Sequence, residues 1–188
     1  MEIVYPKNVG KIRQNKEEIE KKIDVQIKIK GRQIEIEGAP VEEYETRTII
    51  EALDFGFTIK DALRLSDESI AFRKLRIKQF TRRKDLEEVR GRIIGTEGKT
   101  KRTVENVSGC TVVVHDNSVG IIGPAENIEE ATTAVKNLIK GSKQANVYRF
   151  LERMNIAKRE KPDLGLKHKD KNKDNSESED EEDYVEEE

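Results

Sequence analysis

Between Arg92 and Arg102 the chain reads Arg-Ile-Ile-Gly-Thr-Glu-Gly-Lys-Thr-Lys-Arg, residue types and spacing suited to gripping a phosphodiester backbone. Gly95 and Gly98 allow a sharp turn and let a ligand approach bare main chain, because no Cβ intervenes. A helix starting after Gly98 would aim its unbonded amides, and its positive dipole end, at whatever enters the turn. Arg92, Lys99, Lys101 and Arg102 would supply cations around it, and Ile93 and Ile94 an apolar floor for bases. Thr96 and Glu97 complete the loop. The Glu97 carboxylate opposes phosphate there unless it points outward or bonds to a neighbour. Taken alone, a G-x-x-G is so common that it reads first as an ordinary glycine turn, and the context must carry the binding reading.

The surrounding charge is consistent with the phosphate reading and also with a solvated helix face. The 188 residues carry a formal net charge of −2, yet residues 174–188 hold ten acidic groups and no basic one, so residues 1–173 stand at +8. From Ile70 to Arg102 twelve Lys or Arg face only Asp85, Glu87, Glu88 and Glu97. Such a block concentrates polyanions through its field and gains from counterion release on meeting phosphates. From about Lys158 onward the periodic patterns stop, and the composition predicts a disordered tail, basic first and then acidic. That tail would solubilise the chain or fold back on a basic face.

Other chemistries fit poorly. Gly98-Lys99-Thr100 imitates the end of a P-loop, but the position five before the second Gly is Ile93, and no buried strand precedes it. A metal-dependent nuclease needs clustered carboxylates in a folded pocket, and the concentrated acids lie in the tail. Asp116 and His115 sit in a hairpin link with no further base placed beside them. Cys110 occupies a strand position and reads as a small core residue. One cysteine and two distant histidines, His115 and His168, build no zinc site and no internal disulfide. No cofactor is expected. Nothing approaches a membrane-spanning apolar run, and MEIVYP lacks a secretory pattern, so the expected setting is cytoplasmic.

The elements that would position the loop emerge from an internal repeat. Sliding the chain by 85 positions aligns residues 10–56 with 95–141 without a gap, matching Gly10 with Gly95, Glu20 with Glu105, Gly38 with Gly123, Thr48 with Thr133, Leu53 with Leu138 and Gly56 with Gly141. Val25, Ile27 and Ile29 fall on Cys110, Val112 and Val114, and Ile34 and Ile36 on Val119 and Ile121, which is strand alternation. Short polar links, Lys30 to Gln33 and His115 to Ser118, predict hairpins. Asn15 and Glu18 suggest a capping pair for a helix carrying Ile19 and Ile23. Helices starting beside Pro40 and Pro124 would stop at Gly56 and Gly141.

Additional strands are expected at Ile3 to Tyr5 and around Phe72 to Gln79. A connecting helix would carry Ile59, Ala62 and Leu63, and a final helix striped by Val147, Phe150, Leu151 and Met154 would dock across the domain junction. The resulting class is α+β, each unit a three-stranded sheet packed on three helices. The boundaries read 1–56 for the first domain, 57–69 for the connecting helix, 70–141 for the second domain, 142–157 for the final helix and 158–188 for the tail.

This order, two tandem copies, and above all RGRIIGTEGKTKRTVENVSGCTVVV resemble the KH family over about residues 1–156. In particular the chain resembles the two-KH-domain ribosome-assembly proteins of archaea and eukaryotes, of the partner-of-Nob type. The resemblance implies two tandem type I KH domains, each a three-stranded antiparallel sheet on three helices, with a loop holding four nucleotides of single-stranded nucleic acid. It further implies a non-catalytic role near the 3′ end of small-subunit rRNA, beside a PIN-domain rRNA endonuclease and a translation initiation factor subunit, with the chain a monomer. In the first copy the loop would be Gly10-Lys11-Ile12-Arg13, with Arg13 where the second Gly belongs. That copy would be auxiliary, keeping only a basic rim of Lys7, Lys11, Arg13 and Lys16. The rival reading is a protein adaptor built on KH folds, with RNA binding secondary.

Overall fold

The computed structural model describes residues 1–160. The first half runs β1 (Glu2–Val4), α1 (Val9–Gln14), α2 (Lys16–Ile23), β2 (Gln26–Lys30), β3 (Gln33–Glu37) and α3 (Pro40–Phe55). A short helix α4 (Ile59–Leu63) and one 3-10 turn (Arg64–Ser66) lead to β4 (Ile70–Arg76), α5 (Leu86–Ile94), α6 (Lys99–Ser108), β5 (Thr111–His115), β6 (Ser118–Pro124) and α7 (Ala125–Lys140). Helix α8 (Gln144–Glu160) follows. The two sheets are antiparallel, ordered β1-β3-β2 and β4-β6-β5, so the last strand of each hairpin is central. Both hairpins turn in two residues, Gly31-Arg32 and Asp116-Asn117, with positive φ at Gly31 and Asp116, as tight hairpins require.

Five of the six repeat identities named above have matching structural jobs. Glu20 and Glu105 each accept an edge-strand amide through Oε1, from Ile27 at 2.7 Å and from Val112 at 2.8 Å. Each glutamate thereby satisfies a backbone donor that the sheet leaves unpaired. Gly38 and Gly123 lie against Val25 and Cys110. A Cβ at Gly38 would come within 2.8 Å of Val25 Cγ1, and one at Gly123 within 2.4 Å of Cys110 Sγ. Thr48 and Thr133 each donate to the carbonyl four residues back, and Leu53 and Leu138 are fully buried. Gly56 and Gly141 terminate α3 and α7 at φ of 123° and 100°.

The sixth pairing, Gly10 with Gly95, has no such counterpart. Gly10-Lys11-Ile12-Arg13 is not a loop, as the sequence led one to expect, but the body of α1. Only residues 5–8 separate β1 from α1, which leaves no length for a longer helix before Gly10. The two helices meet directly at Asn15. The expected capping there is also corrected: Asn15 makes no side-chain cap to α2, its Nδ2 donating instead to the Lys11 carbonyl, while Asn8 caps α1.

The expected strand over 72–79 begins at Ile70 and gives way to a 3-10 turn at Ile77–Gln79. Its two faces divide the molecule. Leu75 joins the core under α5, α6 and α7, whereas Phe72 and Ile122 join the core of the first half. The outer face of the second sheet is therefore covered by the end of α3, by Phe57 and by α4. Phe57 meets Phe72 edge to face at 5.7 Å, and a Cβ at Gly120 would strike the Phe55 and Phe57 rings at 2.6–2.7 Å. Helix α8 packs on α6 and α7 through Val147 and Leu151. It belongs to the second half and does not span the junction as expected. The helix continues through Lys158 to Glu160, and the remaining tail expectation lies outside the described residues.

Candidate nucleic-acid interface

The loop forms because α5 and α6 are started and stopped by opposite chemistry. Asp85 caps α5, its Oδ1 accepting from the Glu87 and Glu88 amides at 2.9 and 3.2 Å, and Glu87 and Glu88 occupy the first turn where the dipole favours them. Helix α6 has no side-chain cap and no acidic residue in its first turn. Lys99, Lys101 and Arg102 stand there instead, an arrangement the dipole disfavours unless an anion is present.

Between the helices Gly95 has φ of 75° and ψ of 171°, and Gly98 closes the turn at φ 75° in the left-handed region. The Gly98 amide donates to the Gly95 carbonyl at 3.1 Å. The two glycines are needed for different reasons. A Cβ on Gly95 would come within 2.2 Å of Thr100 Oγ1 and 2.8 Å of the Thr100 amide nitrogen, whereas one on Gly98 meets nothing nearer than Arg102 Nε at 4.0 Å. Gly95 thus serves internal packing, and Gly98 serves the turn and the open surface beside it. Thr100, buried, accepts from Gln144 Nε2 of α8 at 2.7 Å, which fastens the loop to the last helix. Thr100 and Gln144 were missed in the sequence reading. The buried Thr100, Val104, Ser108 stripe at helical spacing is the signal that marks Thr100 as inward-facing.

The expected site residues separate into three groups. Lys99 and Arg102 are exposed beside the loop and pair with no acid among the described residues. Thr96 and Glu97 are exposed as well; Glu97 is held at φ 52°, and its carboxylate faces solvent. Lys101 is turned along α6 to Glu105 at 3.2 Å, and Arg92 to Glu88 at 2.9 Å, so both are already engaged.

Ile93 requires a correction. It is 1% exposed and sits in the core with Val89, one helical turn away, and cannot be a floor for bases. Ile94, 38% exposed, is the apolar side chain available. The basic rim of the first half is likewise reduced. Lys11 Nζ donates to the Phe57 carbonyl and Lys16 pairs with Glu20 at 3.6 Å, leaving Lys7 and Arg13 exposed and Gly10 within a helix.

No group of three metal-ligating side chains exists among the described residues, and no helix there is long and apolar enough to cross a membrane. Cys110 is buried, and desolvation pushes its thiol pKa up, in keeping with a core residue. His115 and Asp116, 3.4 Å apart, are exposed at the hairpin tip, with the imidazole against the Phe55 ring at 5.9 Å.

Residues 71–156 match a family model described as a eukaryotic type KH-domain, KH-domain type I. A KH domain-containing protein of Methanocaldococcus jannaschii is 32% identical over 152 residues, covering 77% of this chain and 67% of the relative. The pre-rRNA-processing protein pno1 of Emericella nidulans is 32% identical over 145 residues, covering 71% of this chain and 55% of its own. This chain therefore spans little more than half the length of that eukaryotic relative. Among solved structures, aDim2p in a complex of a/eIF2alpha, aDim2p and rRNA from Pyrococcus horikoshii OT3 is 33% identical with a TM-score of 0.74, over 83% of this chain and 94% of that one. A glycine loop on an uncapped, cation-bearing helix, set in a fold shared along most of its length with these proteins, places the chain in the Pno1/Dim2-type family of KH-domain proteins.

Proposed function

We propose that this chain is a tandem KH protein of ribosome assembly that holds single-stranded rRNA, at the 3′ end of the small-subunit molecule, on the loop of its second domain. The observation that carries the reading is the start of α6: three cations, no capping side chain and no acid in the first turn, preceded by the open main chain at Gly98. A phosphate there satisfies amides and relieves the clash between cations and dipole. The contacts fall to the Gly98 turn, Lys99 and Arg102, with Ile94 beside a base. Support comes from the archaeal neighbour solved with rRNA and from the pre-rRNA-processing relative. The role is binding rather than catalysis, in the cytoplasm.

The first half shares the β-α-α-β-β-α order but lacks the loop, so its part is to support the second domain and meet proteins. A translation initiation factor subunit is one candidate, since a/eIF2alpha is present in the neighbouring complex, and a PIN-domain endonuclease is another.

The deciding experiment measures fluorescence anisotropy of the full chain with a single-stranded RNA matching the small-subunit 3′ end. Lys99→Glu with Arg102→Glu should weaken binding about 100-fold and flatten its salt dependence. Unchanged affinity would leave the adaptor reading in its place. Gly95→Asp is a poor probe, because the new side chain would first collide with Thr100.

A further inference from the structure

Arg92 was expected to serve the loop, yet its guanidinium turns elsewhere. Arg92 Nη2 and Arg83 Nη1 both donate to Glu88 Oε1, at 2.9 and 2.8 Å. One carboxylate oxygen is shared by two cations and neutralises only one of them. Arg92 Nη1 is shut in without a hydrogen-bond partner. It lies 3.0 Å from where a Cβ on Gly141 would be, and Arg83 Nη2 lies 3.6 Å from the same point. Both heads therefore converge on the corner where α7 ends and α8 begins.

Lys140 and Lys143 flank that corner and are exposed, and Lys136, one turn earlier, lies over the Phe80 ring at 5.5 Å. None of these three lysines pairs with an acid among the described residues. Asp85, the nearest acid in the chain before Glu88 apart from Glu87, is committed to capping α5. A helix C-terminus accounts for Lys140, whose charge the dipole favours. It does not account for Arg83, Arg92 and Lys143.

The corner is also continuous with the loop. Thr100, which abuts Gly95, accepts a hydrogen bond from Gln144, the residue following Lys143. The Thr100–Gln144 hydrogen bond thus ties the start of α6, beside the loop, to the start of α8, beside the corner. We propose that the α5–α7–α8 corner is a second backbone-binding surface for single-stranded RNA, taking phosphates of the strand beyond the nucleotides held at the loop. The inference rests on the RNA-binding reading above and extends it to a longer footprint, with Arg83 and Lys143 as the accessible contacts and Arg92 as the fixed charge behind them. Contacts of this kind position the strand and add affinity without reading its sequence.

The test compares two single-stranded RNA probes on the full chain, one of about six nucleotides and one of about twenty with the same six at its centre. Arg83→Gln with Lys143→Gln should leave the short probe unaffected. It should weaken the long probe about ten-fold at low salt and reduce the slope of log K against log salt by about 1.4, for two lost phosphate contacts on a single strand. Both side chains are exposed, so the thermal midpoint should not move. Unchanged affinity and slope for the long probe, with Lys99→Glu/Arg102→Glu still losing both probes, overturns the corner and leaves the loop standing. Equal loss on both probes overturns the corner as a separate surface. Full affinity for both probes in the loop variant overturns the loop as the RNA site, and with it the corner as an extension of a strand held there.

Discussion

Glu20 and Glu105 accept the same edge-strand amide in the two halves of this molecule, and Gly38 and Gly123 clear the same strand position, while the segment between first strand and second helix is built differently. In the second half residues 77–98 supply a turn, a nine-residue helix and a four-residue glycine loop; in the first half residues 5–15 supply one short helix and a single joining residue. The framework demands an edge cap, a bare glycine against the hairpin strand and a left-handed stop after the long helix. It does not demand the loop. A feature the fold can do without, retained where cations crowd an uncapped helix, is better explained by a ligand than by stability.

The comparison can be broken most severely at the paired glycines. Gly123→Ala drives a methyl into Cys110, including its Cα at 2.9 Å, whereas Gly38→Ala meets only side-chain atoms of Val25 and Glu42 that can shift. Denaturant unfolding should show a loss of about 3 kcal/mol for the first and about 1 kcal/mol for the second. Equal costs would mean that the two contacts are not the same device under different constraint. The loop contrast comes next. Lys7→Glu with Arg13→Glu should change RNA affinity less than about three-fold, against about 100-fold for Lys99→Glu with Arg102→Glu, and a comparable loss from the first pair would make the first half a second reader.

Smaller effects sharpen the equivalence. Glu20→Gln and Glu105→Gln should each cost about 1 kcal/mol, the charge-assisted share of one partly exposed amide bond, and the two values should agree within about 0.5 kcal/mol. Smallest is Cys110→Val, which installs the residue of the corresponding first-half position. The thermal unfolding curve should shift by less than about 1 kcal/mol equivalent.

Much of the framework was legible because alternation and helix punctuation act locally. The hairpins, the long helices ending at Gly56 and Gly141, and the second loop could be read from spacing alone. The first loop could not, and the reason is instructive. A gap-free alignment rewarded Gly10 against Gly95, although residues 5–9 alone separate β1 from that glycine while residues 77–94 separate β4 from its partner. Chain length before the glycine, a geometric quantity, outweighs the identity of the glycine.

Ile93 was misassigned for a related reason. Counted from Val89 it is one turn on and faces the core, so the periodicity of α5 already distinguished it from Ile94. The direction of α8 depended on contacts far apart in sequence, such as Gln144 with Thr100 and Asn155 with the Val107 carbonyl at 2.5 Å, and no local pattern encodes those. The turn of Arg92 toward Gly141 is equally nonlocal.

Phe55 and Phe57 have a practical consequence for anyone dissecting the chain. Because their rings seal the Gly120 side of the second sheet, a fragment starting at Ile70 would present Phe72, Val113 and Ile122 to water as a greasy plateau. It would self-associate, and an apparent loss of activity on cutting the chain in two would report that stickiness rather than a contribution of the missing part to recognition.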